Sequence, residues 1–401
     1  MSTVKADDTR LSELRLVFIG GGSGGHLFPA IAVCEAILQW HDNIRLLFLT
    51  SRRHVDTQIL RKSGLDQKRL RVVPYASLPW RSGRMGQLLM LPGSIRSFQS
   101  AKRELREFQP HVAIGVGAAA SVPGVIAASR LKIPVVLMEQ NTVPGKATRL
   151  LAPRAAVTLT GLPFESTETS GWPGALEITG TPVRSSISEL CRRIESSAAI
   201  RQRLLILGGS QGSSSVNRLV LEALADERCV PSDWEIIHQT GEAEVKQVAA
   251  EYARRGRTAS VLSFLPNLPD LLASATVVIS RGGAGTLQEL ACAGLPSILI
   301  PFSRAASNHQ YANAELLQRA GAARLVNEID GDAGLNLRRE LNALIQQPDT
   351  RQSLREGIRC FAKPDAARIS AQKILELCWG ASFLGTLDKS KLDRLPIPRE
   401  S

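Results

Sequence analysis

The chain has 401 residues, of which 44% are hydrophobic and 21% are charged. This composition is that of a soluble globular protein, and the length favours two domains over one. The first ten residues include Asp7 and Asp8 and lack an apolar run, so we expect no signal peptide. The six cysteines form no Cys-x-x-Cys pair, so we expect reduced thiols in the cytoplasm rather than disulfides or a zinc site.

The net charge of +12 is unevenly distributed along the chain. Residues 44–103 contain thirteen lysines and arginines but only two acidic residues, Asp56 and Asp66, which gives this segment a net charge of +11. Such a concentration predicts an anionic partner, which is nucleic acid, a phosphorylated substrate or the acidic face of a membrane. A solvated basic face without a partner explains the same pattern.

Short aliphatic runs alternate with longer helical patterns, which predicts parallel α/β layers. In the first half we predict strands at residues 15–19, 44–49, 112–116, 134–138 and 156–159. In the second half we predict strands at residues 203–207, 234–238, 259–262, 277–279 and 297–300. The uncharged stretch 108–129 is long enough for a membrane span, but Pro110 and Pro123 interrupt it, so we interpret it as a strand, a loop and a helix.

Both series of strands begin with a strand that leads into a glycine-rich turn, at residues 16–26 and 204–212. This repetition predicts two Rossmann-like parallel-sheet domains facing a cleft. We assign residues 1–183 to an N-terminal domain and residues 184–363 to a C-terminal domain. A helix at 364–380, with Asp365 as its N-cap and Gly380 as its end, is expected to return to the N-terminal domain, and residues 381–401 are expected to form a loosely ordered tail.

The first glycine-rich turn is a candidate dinucleotide-binding loop, because Gly20, Gly22 and Gly25 match Gly-x-Gly-x-x-Gly after a strand. An NAD enzyme needs an acidic residue at the end of the next strand, where this chain has Arg52 and Arg53. NADP tolerates arginines there, so an NADP-dependent oxidoreductase is an alternative. This hypothesis explains only one of three similar loops.

The most informative loop lies within residues 277–296. Residues 282–285 are small enough for the backbone to approach a ligand, and the helix that follows directs free N–H groups at the turn. This arrangement suits a pyrophosphate, and Glu289 is placed to accept hydrogen bonds from ribose hydroxyls; alternatively, Glu289 only complements the helix dipole. The amides of Gln310 and Asn313, near the start of the next predicted helix, suit the hydroxyls of a neutral sugar.

Six short motifs follow one another in a characteristic order and spacing. They are Gly-Ser-Gly-Gly-His at 22–26, Glu-Gln-Asn at 139–141, Pro-Val-Arg at 182–184, Gly-Gly-Ser-Gln-Gly at 208–212, the glycine loop at 283–289 and Gln-Tyr-Ala-Asn at 310–313. Together they resemble the MurG family over residues 14–378. The resemblance implies a GT-B architecture and inverting transfer of N-acetylglucosamine (GlcNAc) from UDP-GlcNAc to the undecaprenyl-linked muramyl-pentapeptide. This reaction converts lipid I to lipid II in peptidoglycan synthesis, which serves cell-wall biogenesis, cell shape and division.

The resemblance implies that the C-terminal domain binds the donor, whereas the N-terminal domain faces the acceptor and the membrane. The residues that match the family's donor site are Asn141, Arg184, Ser210, Leu265, Ala284, Gly285, Thr286, Leu287, Gln288, Glu289, Gln310 and Asn313. Among these, Ser210 would lie beside the phosphates, Leu265 beside uracil and Gln310 beside the sugar. The residues of the first glycine loop that would face the acceptor's own phosphates are Ser23, Gly24, Gly25 and His26.

Sugar transfer requires a base on the acceptor side and a positive charge or helix dipole for the departing pyrophosphate. His26 is the first candidate for the catalytic base, because a helix start favours a neutral imidazole; a role in shaping the loop is the alternative. Glu139 is the second candidate. The scheme requires no metal and no cofactor, and we interpret Asp330-Gly331-Asp332 as a turn rather than a metal site.

The sequence departs from the family at two places on the acceptor side. Met138 stands where the family commonly has histidine, and residues 117–121 read Gly-Ala-Ala-Ala-Ser where the family has Gly-Gly-Tyr-Val-Ser. Two alternatives therefore stay open. One is transfer to another prenyl-phosphate or glycolipid acceptor, and the other is a UDP-GlcNAc-binding protein with weak transfer activity.

A prenyl-linked acceptor stays in the bilayer, so we expect a peripheral protein on the cytoplasmic face of the inner (plasma) membrane. An apolar patch flanked by cations is a candidate contact with an anionic membrane surface, although burial within a helix explains part of it. The patch consists of Leu88, Leu89, Met90, Leu91, Ile95 and Phe98 beside Arg81, Arg84, Arg96, Lys102 and Arg103. The expected partners are UDP-GlcNAc, the undecaprenyl-linked acceptor, the membrane surface and cell-wall synthesis proteins, and we expect no nucleic acid.

Overall fold

The computed structural model describes residues 13–41, 43–75, 91–165, 169–193, 202–209, 212–226, 229–265, 267–302 and 308–379. Within these residues the strands form two sheets, and every pair of neighbouring strands is parallel. The first sheet has seven strands in the order β3-β2-β1-β4-β5-β6-β7, and the second has six in the order β10-β9-β8-β11-β12-β13. The prediction of two parallel-sheet domains is confirmed.

The first sheet and its helices come from the N-terminal half of the chain. Its strands are β1 (Leu14–Gly20), β2 (Ile44–Thr50), β3 (Leu70–Pro74), β4 (Val112–Gly117), β5 (Val135–Glu139), β6 (Val157–Thr160) and β7 (Ala175–Ile178). Its helices are α1 (Gly24–Leu38), α2 (His54–Arg61), α3 (Leu91–Phe108), α4 (Val122–Arg130) and α5 (Lys146–Leu151), with short 3₁₀ turns at Ala119–Ser121 and Ala152–Arg154.

The second sheet follows the helix α6 (Ser185–Arg193). Its strands are β8 (Arg203–Leu207), β9 (Glu235–Gln239), β10 (Ser260–Leu262), β11 (Val277–Ser280), β12 (Ser297–Leu299) and β13 (Arg324–Leu325). The helices of this half are α7 (Ser214–Ala223), α8 (Val245–Arg254), α9 (Leu268–Ser274), α10 (Ala284–Ala293), α11 (His309–Arg319), α12 (Ala333–Gln346), α13 (Pro348–Arg359) and α14 (Ala366–Trp379).

All ten predicted strands are confirmed to within one residue at each end. Three strands, β3, β7 and β13, were not predicted. They occupy sheet edges and contain residues that are only partly buried, so they lack the continuous apolar run that marks a central parallel strand. The stretch 108–129 forms the end of α3, then β4, a 3₁₀ turn and most of α4, as predicted. Within the described part of the chain, no helix combines the length and apolar character needed to cross a bilayer.

The last described helix, α14, packs against the first domain rather than the second. Ala371, Ile374 and Leu375 are buried in the same apolar cluster as residues of β1 and β2, including Phe18 and Phe48, whose rings stack at 5.0 Å. The chain therefore crosses between the two halves twice, once before α6 and once before α14. Both crossings tether one sheet to the other, and the first of them borders the cleft through Pro182, Val183 and Arg184.

Candidate active site

A cleft of about 390 Å³ lies between the two domains, at the carboxyl ends of the parallel strands. Ligands of open parallel sheets bind at this edge, where the strand order reverses, and these reversals lie between β1 and β4 and between β8 and β11. The residues that line the cleft include Ser23, Gly24, Gly25, His26, Phe28, Gln140, Asn141, Arg184, Gly209, Leu265, Arg281, Gly283, Ala284, Gly285, Thr286, Glu289, His309 and Gln310. Its volume is within the range of small-molecule sites, which is about 300–1,000 Å³.

The first glycine loop is held by an internal carboxylate. The Gly22 N–H donates to both oxygens of the buried Asp56, at 2.9 and 2.8 Å, and the Ser51 hydroxyl donates to Asp56 Oδ2 at 2.6 Å. A Cβ atom on Gly21 would lie 2.6 Å from the same oxygen, and the φ of Gly21 is +137°, so this position requires glycine. Because Asp56 occupies the Gly22 amide, a dinucleotide pyrophosphate placed there would meet a negative charge. The geometry therefore argues against the NADP alternative.

His26 lies in the first turn of α1, which begins after Ser23 with Gly24 and Gly25. Its Nδ1 atom is buried and has no hydrogen-bond partner among the described residues. The ring packs against β4, since a Cβ atom on Gly117 would lie 2.9 Å from Nδ1. Burial lowers the pKa of His26, and the charge of Glu139 acts in the opposite direction. The neutral imidazole that results is able to accept a proton at pH 7.

Glu139 ends β5, and four donors occupy its carboxylate. Oε1 accepts from the backbone N of Asn141 at 3.2 Å and from its Nδ2 at 2.9 Å. Oε2 accepts from Gly145 N at 3.0 Å and from the Thr148 hydroxyl at 2.6 Å. A carboxylate with this many donors has little capacity left to take a substrate proton. The arrangement favours a role in fixing the loop after β5 and leaves His26 as the better candidate base.

The loop after β5 is also bonded to the second domain. Asn313 is fully buried, its Oδ1 accepts from Thr142 N at 3.0 Å, and its Nδ2 donates to Asn141 Oδ1 at 3.0 Å and to Gly282 O at 3.1 Å. These bonds engage both amide hydrogens and the carbonyl oxygen, and Asn313 does not line the cleft. The sequence indicated Asn313 for the sugar, whereas in the structure its side chain joins the loop after β5 to the glycine loop before α10.

Two side chains near the middle of the cleft have unusual electrostatics. The Arg184 guanidinium lies 5.0 Å from the centre of the Phe28 ring, and its Nε is buried without a partner among the described residues. Burial raises the pKa of Glu289 to about 6, and the positive charge of Arg184 acts in the opposite direction. An unpaired buried donor is costly unless a ligand completes it, so Arg184 indicates where a polar or anionic ligand binds.

The donor-side loop places the N-terminus of α10 at the cleft. Gly283 is its extended N-cap, and Ala284, Gly285, Thr286 and Glu289 line the cleft, as predicted from the sequence. The first N–H groups of a helix lack partners within it, so they form a site for phosphate oxygens. Two other predicted residues contribute no side chain there, because Leu287 is buried in the core and Gln288 is buried with its Nε2 donating to Cys292 Sγ at 3.5 Å.

The remaining predicted donor residues lie around the same opening. Leu265 is buried and lines the cleft beside Phe264, which is 59% exposed. Gln310 lines the cleft, its Oε1 accepts from Phe302 N at 3.0 Å, and its Nε2 makes no hydrogen bond to the described residues. Ser210 lies outside the described residues. Its neighbour Gly209 lines the cleft at the carboxyl end of β8.

Sequence reasoning missed three residues of this region: Asp56, Arg281 and His309. Arg281 directly follows β11, and His309 is the first residue of α11, with its Nδ1 hydrogen-bonded to Val143 O across the domain boundary at 2.8 Å. A polar residue at the carboxyl end of a parallel strand was the available signal for Arg281. Each of the three has at least one partner more than thirty positions away in the sequence, which no local pattern reveals.

The Asp-x-Asp sequence lies away from the cleft, in the turn before α12. Asp330 Oδ1 accepts from Asn327 Nδ2 at 2.9 Å, and Asp332 directly precedes the helix. This confirms the prediction of a turn. Among the described residues, no group of three or more histidine, cysteine, aspartate or glutamate side chains is arranged to hold a metal ion.

Comparisons with known proteins agree with this division into two halves. The glycosyltransferase family 28 N-terminal domain matches residues 16–160, and the glycosyltransferase family 28 C-terminal domain matches residues 203–368. The first match covers the glycine loop with His26 and the loop that contains Glu139. The second match covers the α10 loop and Gln310.

Similar proteins that align over most of their length carry the name UDP-N-acetylglucosamine--N-acetylmuramyl-(pentapeptide) pyrophosphoryl-undecaprenol N-acetylglucosamine transferase. The protein of Thermodesulfovibrio yellowstonii is 32% identical over 379 residues, which cover 91% of this chain and 98% of that protein. The protein of Sorangium cellulosum is 36% identical over 371 residues, which cover 90% of this chain and 88% of that protein.

Solved structures share the fold. The crystal structure of Acinetobacter baumannii MurG superposes with a TM-score of 0.71 at 24% identity and covers 90% of this chain and 99% of that one. The UDP-GlcNAc 2-epimerase of Neisseria meningitidis, bound to UDP-GlcNAc, superposes with a TM-score of 0.62 at 15% identity and covers 91% and 100%. The GT-B architecture is confirmed, and it occurs in enzymes of different chemistry. By sequence, the chain belongs to the MurG family of glycosyltransferases, the UDP-GlcNAc-dependent transferases of glycosyltransferase family 28.

Proposed function

We propose that the chain transfers GlcNAc from UDP-GlcNAc to the undecaprenyl-pyrophosphoryl muramyl-pentapeptide, converting lipid I to lipid II for peptidoglycan. The observation that carries this proposal is a single cleft with complementary walls. One wall presents His26 and the first glycine loop, and the other presents the α10 N-terminus, Glu289 and Gln310. A candidate proton acceptor and a candidate anion site therefore line the same cleft.

The donor would bind on the second domain. Its pyrophosphate would lie at the N-terminus of α10, where helical N–H groups and the helix dipole favour negative charge. The Glu289 carboxylate would accept hydrogen bonds from the ribose, and the Nε2 of Gln310 would donate to a sugar hydroxyl. The uracil ring would lie against Leu265, in the apolar end of the cleft.

The reaction would use this chain's own residues, with no metal and no cofactor. His26 would take the proton of the acceptor hydroxyl as that oxygen bonds to the anomeric carbon. The bond between this carbon and the β-phosphate oxygen would break on the opposite face, which inverts the configuration. The α10 N-terminus and Arg184 would stabilise the charge that develops on the departing UDP. A positioned base of this kind contributes about 10²–10⁴ in rate.

The protein would act at the membrane surface, on the cytoplasmic face of the inner membrane. Of the predicted apolar patch, residues 81–90 and the side chain of Leu91 lie outside the described part. On α3, Ile95 is 54% exposed beside the exposed Arg96, and Phe98 packs under Arg130 and Lys102, at 5.1 and 6.0 Å. Cations near an anionic leaflet contribute about 1 kcal/mol each.

Vesicle co-sedimentation tests this membrane proposal. Vesicles with anionic lipids should bind the chain, and Arg96→Glu should weaken binding at low salt, because it reverses one exposed charge. Equal binding to neutral and anionic vesicles would contradict the electrostatic part. Cell-wall synthesis proteins are proposed as further partners from the expected reaction alone, and no nucleic-acid partner is proposed.

An acceptor panel tests the transfer reaction. The purified chain is incubated with labelled UDP-GlcNAc and either a short-chain lipid-linked muramyl-pentapeptide, the same lipid without the peptide, or another prenyl-phosphate sugar. We expect label in the first lipid and strongly reduced label in the others, and His26→Gln should abolish most transfer. Met138 and Ala118 are positions where the sequence departs from the family on the acceptor side, so the panel includes other acceptors. Preferential labelling of one of these would overturn the assignment of the muramyl-pentapeptide lipid as the acceptor. Nucleotide binding with no labelled lipid would favour a binding protein.

A further inference from the structure

Arg281 is a nearly buried cation at the carboxyl end of β11, beside the cleft. Its side chain is 11% exposed and forms an ion pair of 2.7 Å with Glu328, whose side chain is 7% exposed. Nη1 also donates to Ile300 O at 2.9 Å, while Nη2 donates to Ser213 Oγ at 2.6 Å and to Ser215 Oγ at 2.7 Å. The guanidinium therefore connects the ends of β11 and β12 with the start of α7.

The serines that Arg281 contacts define the N-terminus of α7. Ser213 is the N-cap of this helix, and its Oγ accepts from Val216 N at 3.4 Å. Ser215 lies in the first turn, and its hydroxyl donates to Glu328 Oε2 at 2.6 Å. Gly209 and Gly212, which precede this helix, adopt φ values of +86° and +77°, a region that favours glycine.

The starts of α7 and α10 follow neighbouring strands at this edge of the second sheet. β8 leads into α7 and β11 leads into α10, and these two strands are neighbours at the point where the strand order reverses. Gly209, which precedes α7 in the sequence, and Gly283, the N-cap of α10, both line the cleft. A diphosphate carries enough negative charge to interact with the N-termini of both α7 and α10.

The hydrogen bonds of Arg281 leave little capacity for a ligand. A guanidinium has five N–H donors, and four of them are used by Glu328, Ile300 and the two serines. A cation that served mainly to contact phosphate would keep its donors free. A buried ion pair contributes little net stability. Breaking it is nevertheless costly, because the remaining charge is left uncompensated, so the pair holds its two side chains in a fixed geometry.

We infer that Arg281, held by Glu328, is a positioning residue for the donor diphosphate, because it fixes the start of α7 where its N–H groups meet the phosphates. This inference rests on the proposed binding of UDP-GlcNAc by the second domain. It predicts that the ion pair matters for the phosphates of the nucleotide and not for the uridine.

The test compares the binding of uridine, UDP and UDP-GlcNAc by titration calorimetry in the intact chain. We expect Arg281→Gln and Glu328→Gln each to weaken UDP and UDP-GlcNAc about ten- to a hundredfold, because charge-assisted hydrogen bonds are lost, with little change for uridine. Arg281→Lys keeps the charge and should recover part of the affinity. In steady-state transfer, the donor KM should rise more than kcat falls.

Arg338→Gln is the matched control. Arg338 holds the other end of α7, donating from Nε to Ala223 O at 3.1 Å and from Nη2 to Glu222 O at 3.0 Å. Its loss should lower stability but leave UDP affinity unchanged. If Arg338→Gln weakens UDP as much as Arg281→Gln does, the effect of Arg281 is general destabilisation and the inference is wrong.

Glu328→Gln separates positioning from direct contact. If it leaves UDP affinity unchanged or raises it while Arg281→Gln lowers it, Arg281 contacts the phosphate itself and the inference is overturned. Should Arg281→Gln not fold, Arg281→Lys and Glu328→Gln still decide the question. UDP binding needs no acceptor, so failure of lipid transfer leaves this test intact, whereas absence of UDP binding by the wild type would refute the proposed function.

Discussion

Replacing Asn313 with alanine would separate two roles for this residue. In the structure its side chain makes three hydrogen bonds, to Thr142, Asn141 and Gly282, and two of them cross from the second domain to the first. None of its polar atoms is left for a donor sugar. We therefore expect the substitution to loosen the contact between the domains while leaving the nucleotide site in place.

The size of the effect follows from the number of bonds. A buried neutral hydrogen bond contributes about 0.5–1.5 kcal/mol, so the loss of three predicts a fall of about 1.5–4.5 kcal/mol in the free energy of unfolding. For domains of this size about 1 kcal/mol corresponds to 2–4 °C, so the melting temperature should fall by about 3–18 °C. Turnover should fall, because the loop that carries Glu139 and Asn141 is no longer fixed to the glycine loop of the donor site.

Calorimetric titration with UDP and steady-state transfer kinetics measure these effects. Asn217→Ala is the matched control, since Asn217 is equally buried and its side chain bonds to Thr240, Glu244 and His238 within the second domain. It should lose similar stability and keep most of its kcat. If Asn313→Ala instead keeps kcat and raises the KM for UDP-GlcNAc, Asn313 contacts the sugar and the reasoning from its hydrogen bonds is refuted.

Four other substitutions test the remaining parts of the site. His26→Gln should lower kcat by about 10²–10⁴ without changing UDP affinity, measured by calorimetry and transfer, and near-normal turnover would remove His26 from the mechanism. Glu289 has a pKa raised to about 6 by burial, so UDP affinity of the wild type should weaken as the pH falls below 6. Because the pKa is raised, ionising Glu289 costs stability in the folded protein, and the stability due to this group is lost as the pH rises through about 6. Above that pH, Glu289→Gln should be more stable than the wild type in thermal melts without nucleotide. A Gln variant with the same pH profiles as the wild type would contradict this account. Asp56→Asn should raise the acceptor KM and spare the donor KM, since an amide has one acceptor oxygen and no charge where the carboxylate offers two charged oxygens to Gly22 and Ser51, and an equal rise in both would argue against its assignment to the acceptor loop. Ala118→Gly should raise the melting temperature, because Ala118 has φ +60° and ψ 164°, a region that costs a non-glycine residue about 1–3 kcal/mol; a lower melting temperature would contradict it.

The sequence predicted those parts of the molecule that are encoded locally. Central parallel strands are continuous apolar runs, and glycine turns followed by helices predict anion sites, so the strand pattern and the α10 loop follow from neighbouring residues alone. The cleft does include the predicted Ser23, His26, Arg184, Glu289 and Gln310.

What the sequence could not provide are contacts between distant segments. Asn313 bonds to Thr142 across 171 positions, and Arg281 bonds to Ser215 and Glu328 across 66 and 47 positions. Such an amide or guanidinium has the same local signature whether it meets a ligand or another part of the chain. Asn313 was therefore assigned to the sugar, and Arg281 was not singled out.

The central claim is that this cleft transfers a sugar to a lipid-linked muramyl-pentapeptide, a claim that the fold alone cannot carry because it also occurs in an epimerase of UDP-GlcNAc. The most direct measurement incubates the chain with UDP-GlcNAc and this lipid, then quantifies UDP and analyses the lipid by mass spectrometry. The account predicts one equivalent of UDP for each lipid that gains one N-acetylhexosamine, and no reaction without the lipid. UDP or an altered free sugar released without any lipid product would contradict it.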